Sequence, residues 1–155
     1  MNSQNWETTR QRYEDWWEGN PLSRPLVQIS APQQGSPAAP PPEDETALVA
    51  WNTDPSLVLP RLEQALASTY YTADAFPLIF PMSIGLPAIE AAYLGCPYHF
   101  TRQTAWLHPL YEDLHDRQPV NVDPGNFWWV ATQTLLDAAA SRFAGKAVIG
   151  IPDLQ

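Results

Sequence analysis

Side chains able to do chemistry are few in this chain and widely spaced. Cys96 and His99 stand three residues apart, close enough to share a metal ion. A structural zinc site takes four ligands, however, and no second pair follows. A packed cysteine beside a surface histidine accounts for the same residues. His108 and His115 are seven residues apart, which is not the i, i+4 spacing that presents two imidazoles on one helical turn. His108, between Leu107 and Pro109, is a loop histidine. Asp153 follows the apolar run Ala147 to Ile151 after one proline, Pro152. A carboxylate there can accept hydrogen bonds from a substrate nitrogen or orient a bound group, and it can equally serve as a turn or cap residue. Three aromatic pairs, Trp16-Trp17, Tyr70-Tyr71 and Trp128-Trp129, could stack on a flat ligand. Core packing explains them as well, because aromatics dominate the area that helices bury against a sheet.

The elements that position these groups follow from periodicity and from breakers. Trp6, Arg10, Tyr13 and Trp17 fall on one face of a helix that Gly19 and Asn20-Pro21 stop. The run from Arg24 to Ser30 suits a short strand. Residues 31–46 are dense in proline and lack large apolar side chains, which predicts an exposed, extended loop. Asp54-Pro55 opens the next helix, with Leu59, Leu62, Leu66 and Tyr70 along its packed side. Ala75 to Ile84 suits a buried strand despite Pro77 and Pro81. A short helix from Pro87 to Leu94 closes at Gly95, and an extended segment follows Phe100. Asp123-Pro124 opens a last helix with Phe127, Val130, Ala131, Thr134 and Ala138 on one face and Gly145 as its cap. The continuous apolar run after Gly145 lacks polar alternation, as expected of a strand covered on both faces in a parallel βαβ unit.

Composition narrows the function classes. The 155 residues are 45% hydrophobic and include seven tryptophans, enough for one domain with a core. Eight lysines and arginines against 17 aspartates and glutamates give a net charge of -9. No basic cluster could neutralise a row of phosphates, so nucleic acid is not an expected partner. Neither a secretory leader nor a membrane span is expected, which points to the cytoplasm. Cys96 is the single cysteine, so no internal disulfide forms.

Four segments together resemble the uroporphyrinogen decarboxylase-like superfamily, which also holds the corrinoid-linked methyltransferases. They run from Tyr13 to Pro32, from Phe80 to Gly95, from Thr104 to Asp113 and from Gly150 to Gln155, in the family's order and with similar spacing. The resemblance implies an α/β chain: an incomplete, N-terminal portion of a (β/α)8 TIM barrel with a helical N-terminal cap. Residues 1–74 would form the cap, with its proline-rich loop, and residues 75–155 the first βα elements of a truncated barrel. Barrel sites lie at the C-terminal ends of strands, which singles out Met82 and Ser83 after the first barrel strand and Asp153 after the second.

The resemblance implies a catalytic role for Asp153 and substrate-binding roles for Ser83, Met82, His108 and Arg24. Two departures count against porphyrin decarboxylation. Met82-Ser83 stands where the family's decarboxylases carry an aspartate for the pyrrole nitrogens, and Ser23-Arg24-Pro25 offers one arginine where they carry an arginine-rich motif. Ser83 can also satisfy local backbone, and Arg24 can also pair at the surface. In the methyltransferases zinc is held by ligands from later barrel strands, so no cofactor is expected in this chain itself, although zinc or corrinoid is possible for a full-length relative. The expectation is an N-terminal fragment that is inactive alone, with a methyltransferase or tetrapyrrole decarboxylase relative as parent. The competing expectation is a non-catalytic interaction or assembly module, a homo-oligomer formed through an uncovered sheet edge or apolar face.

Overall fold

Helix α1 (Ser3–Trp17) ends at Gly19, whose φ of 75° lies in the left-handed region that a side chain disfavours. The structure, a computed structural model, describes residues 3–33, 39–82, 89–102, 104–119, 121 and 123–152. The packed arc of α1 runs through Trp6, Thr9, Arg12 and Tyr13. Trp6 and Tyr13 meet the Phe76 ring edge-on, at 5.4 and 5.3 Å between centroids. Trp17 is 83% exposed, and Arg10 lies outside between Glu7 and Glu14. The arc is therefore displaced from the predicted face toward Arg12, whose Nε donates to Asp74.

Strand β1 (Gln28–Pro32) begins later than its apolar run suggests and pairs antiparallel with β2 (Thr69–Ala73), Gln28 opposite Ala73 and Pro32 opposite Thr69. Two further differences from expectation follow along the chain. Helix α2 (Glu45–Thr53) forms at the end of the proline-rich stretch, where the Asp44 carboxylate accepts a hydrogen bond from the Ala47 N–H. The helix opened by Asp54-Pro55, α3 (Pro55–Ala67), stops three residues short of Tyr70. Ser68 caps it with its N–H on the Gln64 carbonyl, and the β-branched and aromatic run Thr69-Tyr70-Tyr71-Thr72 then favours the pleated conformation of β2.

Only Leu78–Ile79 of the expected strand at 75–84 is regular, as β3. It is followed by α4 (Ile89–Tyr93), a hairpin of β4 (Tyr98–Phe100) and β5 (Ala105–Leu107), and a 3-10 turn at Leu114–Asp116. Asp123-Pro124 does not open the last helix. The Asp123 side chain accepts from the Gly125 N–H in a turn, and Asn126 is the N-cap, accepting from the N–H groups of Trp128 and Trp129. Its own amide donates to Ala92 O at 3.0 Å, tying the helix start to α4.

Helix α5 (Phe127–Arg142) buries Ala131, Thr132, Leu135 and Ala139, and Phe143 continues that line at the cap. This face is rotated by roughly 90° from the predicted one, leaving Phe127, Val130 and Thr134 exposed. The predicted stripe carries Phe127 and Val130, so size alone does not choose between the two. Leu135 and Phe143 each meet a core, and burial against those partners sets the orientation.

Gly145, at a φ of 70°, then turns the chain into β6 (Val148–Ile149), which lies parallel to β3 with Leu78 opposite Val148 and Ile79 opposite Ile149. Two cores hold the molecule together. In one, Leu48, Val58, Met82, Ile89, Tyr93 and Phe100 surround Ala131 and Leu135 of α5. In the other, Ile79, Ala139 and Phe143 pack with Leu59, Leu62, Leu66 and Ile149. The chain is a mixed α/β structure with three two-stranded sheets among the described residues, none closed into a barrel.

Candidate functional site

Parallel strands deliver their C-terminal ends to one edge, and in βα folds that edge is where ligands bind. Here β3 leads into Phe80, Pro81 and Met82, and β6 into Gly150, Ile151 and Pro152. The two ends are locked by Gly150 N–H donating to Ile79 O at 2.8 Å, while Val148 N–H donates to Pro77 O at 2.8 Å. The Phe80 ring lies so close over Gly150 that an added Cβ would sit well inside van der Waals contact. Gly150→Ala is accordingly expected to lower stability by about 1 to 3 kcal/mol through overpacking. In a Phe80→Ala background the same change is expected to be nearly neutral. Thermal melting of the four proteins in this cycle measures the coupling.

Beside the strand ends lies a cleft of about 370 Å³ walled by Pro41, Trp51, Asn52, Phe80 and Pro81, with Arg61 from α3 among its lining residues. The Arg61 guanidinium lies 3.9 Å from the Trp51 ring centroid and donates to the carbonyls of Leu57 (Nε, 3.0 Å) and Trp51 (Nη2). Partial burial pulls its pKa down. Two of its five N–H donors are so engaged, no carboxylate among the described residues pairs with it, and the remaining donors are oriented by the stacked ring. This arrangement can hold an anionic group against an aromatic wall. The sequence reading missed Arg61, although its placement one helical turn after Leu57 on a helix opened by Asp54-Pro55 was visible.

The predicted site residues are not brought together. Ser83 and Asp153 lie outside the described residues. Met82 is buried in the first core, packed with aliphatic and aromatic neighbours. His108 follows β5, where its N–H donates to Pro97 O and its exposed imidazole makes no hydrogen bond or ion pair among the described residues. Arg24 is committed elsewhere, to Asp74, by bonds of 2.5 and 3.0 Å. His99 pairs through Nδ1 with Glu45 Oε1 at 2.7 Å, and the same oxygen accepts the Phe100 N–H, so that imidazole serves to dock β4 on α2. Among the described residues no group of three or more histidine, cysteine, aspartate or glutamate side chains is placed to hold a metal ion.

Asp74 is the most confined charge among the described residues. It is 1% exposed and accepts hydrogen bonds from Arg24, Arg12 (2.8 Å) and the Val27 N–H (2.9 Å), while its own N–H donates to Val27 O (2.8 Å). The bonds from Arg24 above all, helped by Arg12 and Val27, hold the carboxyl far below the usual range despite burial. Ala73 before it adopts a left-handed φ of 58°, a conformation an alanine keeps only where its surroundings enforce it. With both arginines satisfied by it, this cluster clamps α1 and the segment before β1 to the end of β2. Its chemistry is structural.

No helix among the described residues is long and apolar enough to cross a membrane. Comparison with protein-family models, with curated proteins and with solved structures returns no match.

Proposed function

We propose that the chain forms the helical cap and first two strands of a uroporphyrinogen decarboxylase-like barrel, related to the methyltransferases or tetrapyrrole decarboxylases, and that alone it is catalytically inactive. The observation that carries this reading is the parallel pairing of β3 with β6, whose connection runs through α4, the β4 and β5 hairpin, the 3-10 turn and finally α5, with both C-terminal ends presented at one edge. Parallel strands joined through a helix are the repeating unit of a (β/α)8 barrel, and in this reading α4, the hairpin and the 3-10 turn are insertions into that unit, with six further strands completing the ligand site. The Arg61 cleft adjoins this edge and suits the anionic part of a substrate.

The test uses the purified chain. Neither decarboxylation of uroporphyrinogen nor methyl transfer from methylcobalamin to a thiol is expected, and turnover of either overturns the claim of inactivity. The cap-and-barrel reading itself is tested by the Gly150 and Phe80 cycle, because absence of coupling removes the strand pairing on which it rests.

A second reading, an assembly module, is favoured by one observation: Leu78, Phe80, Phe127, Val130 and Ile151 all leave apolar surface exposed. It predicts a concentration-dependent dimer in sedimentation velocity. A monodisperse monomer with cooperative unfolding rejects it.

A further inference from the structure

At the N-terminal ends of β3 and β6, opposite the edge discussed above, α1, α3, β2 and the end of α5 border a separate, solvent-open cavity of about 480 Å³. Its size is that of a small-molecule site. Trp6, Tyr71, Phe76 and Phe143 supply aromatic walls, and Leu66, Ala67, Ala75 and Pro77 add more carbon. The Trp6 and Phe76 rings meet edge-to-face, so the wall is built rather than left over from a disordered surface.

Polar groups enter at two points. At one, Thr9, 4% exposed, stands among the lining residues. At the other point, Glu63 and Lys146 line the cavity and Arg142 stands behind them.

The charges at this point discriminate between ligands. Arg142 Nη2 donates to Glu63 Oε2 at 2.6 Å, and this bond, chiefly, draws the Glu63 carboxyl below its ordinary range. Glu63 is thus already neutralised by its nearest cation. Lys146 Nζ pairs with the other oxygen at 3.7 Å, a longer contact than the Arg142 bond and the weaker of the two influences on the Glu63 carboxyl. The three side chains sum to one positive charge beside a pocket of aromatic carbon, in a protein of net charge -9. A cationic ligand would have to displace Arg142 from Glu63. An anionic one has only to compete for Lys146 with its 3.7 Å contact to Glu63, whose carboxylate keeps Arg142.

We propose that this cavity is a binding site for a compact aromatic monocarboxylate, with the ring between Trp6, Tyr71 and Phe76 and the carboxylate on Lys146. The inference is independent of the barrel reading, because it uses the opposite end of the strands.

The probes are 2-naphthoate and its neutral analogue 2-naphthalenemethanol, titrated into the purified chain by calorimetry. The expected result is saturable one-to-one binding of naphthoate, tighter than the alcohol by about ten-fold, the scale of one solvent-accessible charge-assisted hydrogen bond. Lys146→Met keeps the side-chain stem and should erase that preference while leaving the alcohol's affinity unchanged. Ala67→Trp, which fills the cavity from the end of α3, should abolish binding of both. Lys146 is largely exposed, so its replacement gives a folded protein even where the filled variant does not fold. Absence of saturable naphthoate binding at millimolar concentration overturns the proposal, as does naphthoate affinity that Lys146→Met leaves unchanged.

Discussion

Replacing Asp74 by alanine is expected to destabilise the fold by about 3 kcal/mol, because it leaves a half-buried arginine without its counter-charge. The two arginines contribute differently. Arg24, whose side chain is 49% exposed, can turn its guanidinium to water, whereas Arg12 is 16% exposed and remains between α1 and the end of β2. The loss therefore falls mainly on Arg12. For a chain of this length the effect corresponds to a fall in melting temperature of roughly 10 °C. If the orphaned charge is the cause, Arg12→Met should recover part of that loss when combined with Asp74→Ala. Equal or greater loss in the double variant would show that Arg12 is not the strained group.

The same cluster fixes the sign of an acid dependence. Asp74 has a folded-state pKa depressed below the unfolded value, so its contribution is fully present above about pH 4 and is lost as pH falls toward the folded value. The stability difference between the wild-type chain and Asp74→Asn is expected to shrink between about pH 4 and about pH 2. A difference that stays constant over that interval would mean that the asparagine satisfies the arginines as well as the carboxylate does.

Why this cluster escaped the sequence is instructive. Arg12, Arg24 and Asp74 are separated by 12 and 50 residues, and no local pattern links them. Arg24 was legible as a substrate-binding candidate or as a residue pairing at the surface; that its partner is buried follows from the pairing of β1 with β2, which depends on where α3 stops. The strong punctuation was legible: Asp54-Pro55 as cap and first turn, Gly19, Gly95 and Gly145 as left-handed stops, and the apolar run after Gly145 as a strand. Periodicity identified the existence of α1 and α5 and misplaced their faces. On α5 the alanines offered two apolar stripes, and only the tertiary partners of Leu135 and Phe143 choose between them. Helix α2 was hidden because proline density next to it lowered the apparent propensity of a segment whose packing residue is Leu48. Arg61 was hidden for a related reason, since a lone arginine on an amphipathic helix has the pattern of a solvated face until Trp51 is seen beneath it.

Phe143 carries the second large expectation. Its side chain is fully buried, at 0% exposure, where the end of α5 meets Ile79 of β3, and Leu66, Ala147 and Ile149 share that cluster. Truncation to alanine removes most of a benzyl group from a site closed by two strands and two helices, so little collapse is available to fill the space. The expected loss is about 3 to 5 kcal/mol, close to the whole stability of a marginal domain. Phe143→Leu keeps much of the volume and should lose about 1 kcal/mol. Denaturant melts followed by far-ultraviolet circular dichroism measure both. The location of the damage also matters. Asp74 anchors α1, and its loss should loosen the first 27 residues while the β3 and β6 pair persists. Phe143 underlies that pair, so its truncation should abolish amide protection at the Val148 and Gly150 N–H groups, which donate to Pro77 and Ile79. Hydrogen exchange that left those two amides as protected as in the wild-type chain would place the support of the parallel strands elsewhere, and with it the foundation of the strand-end site.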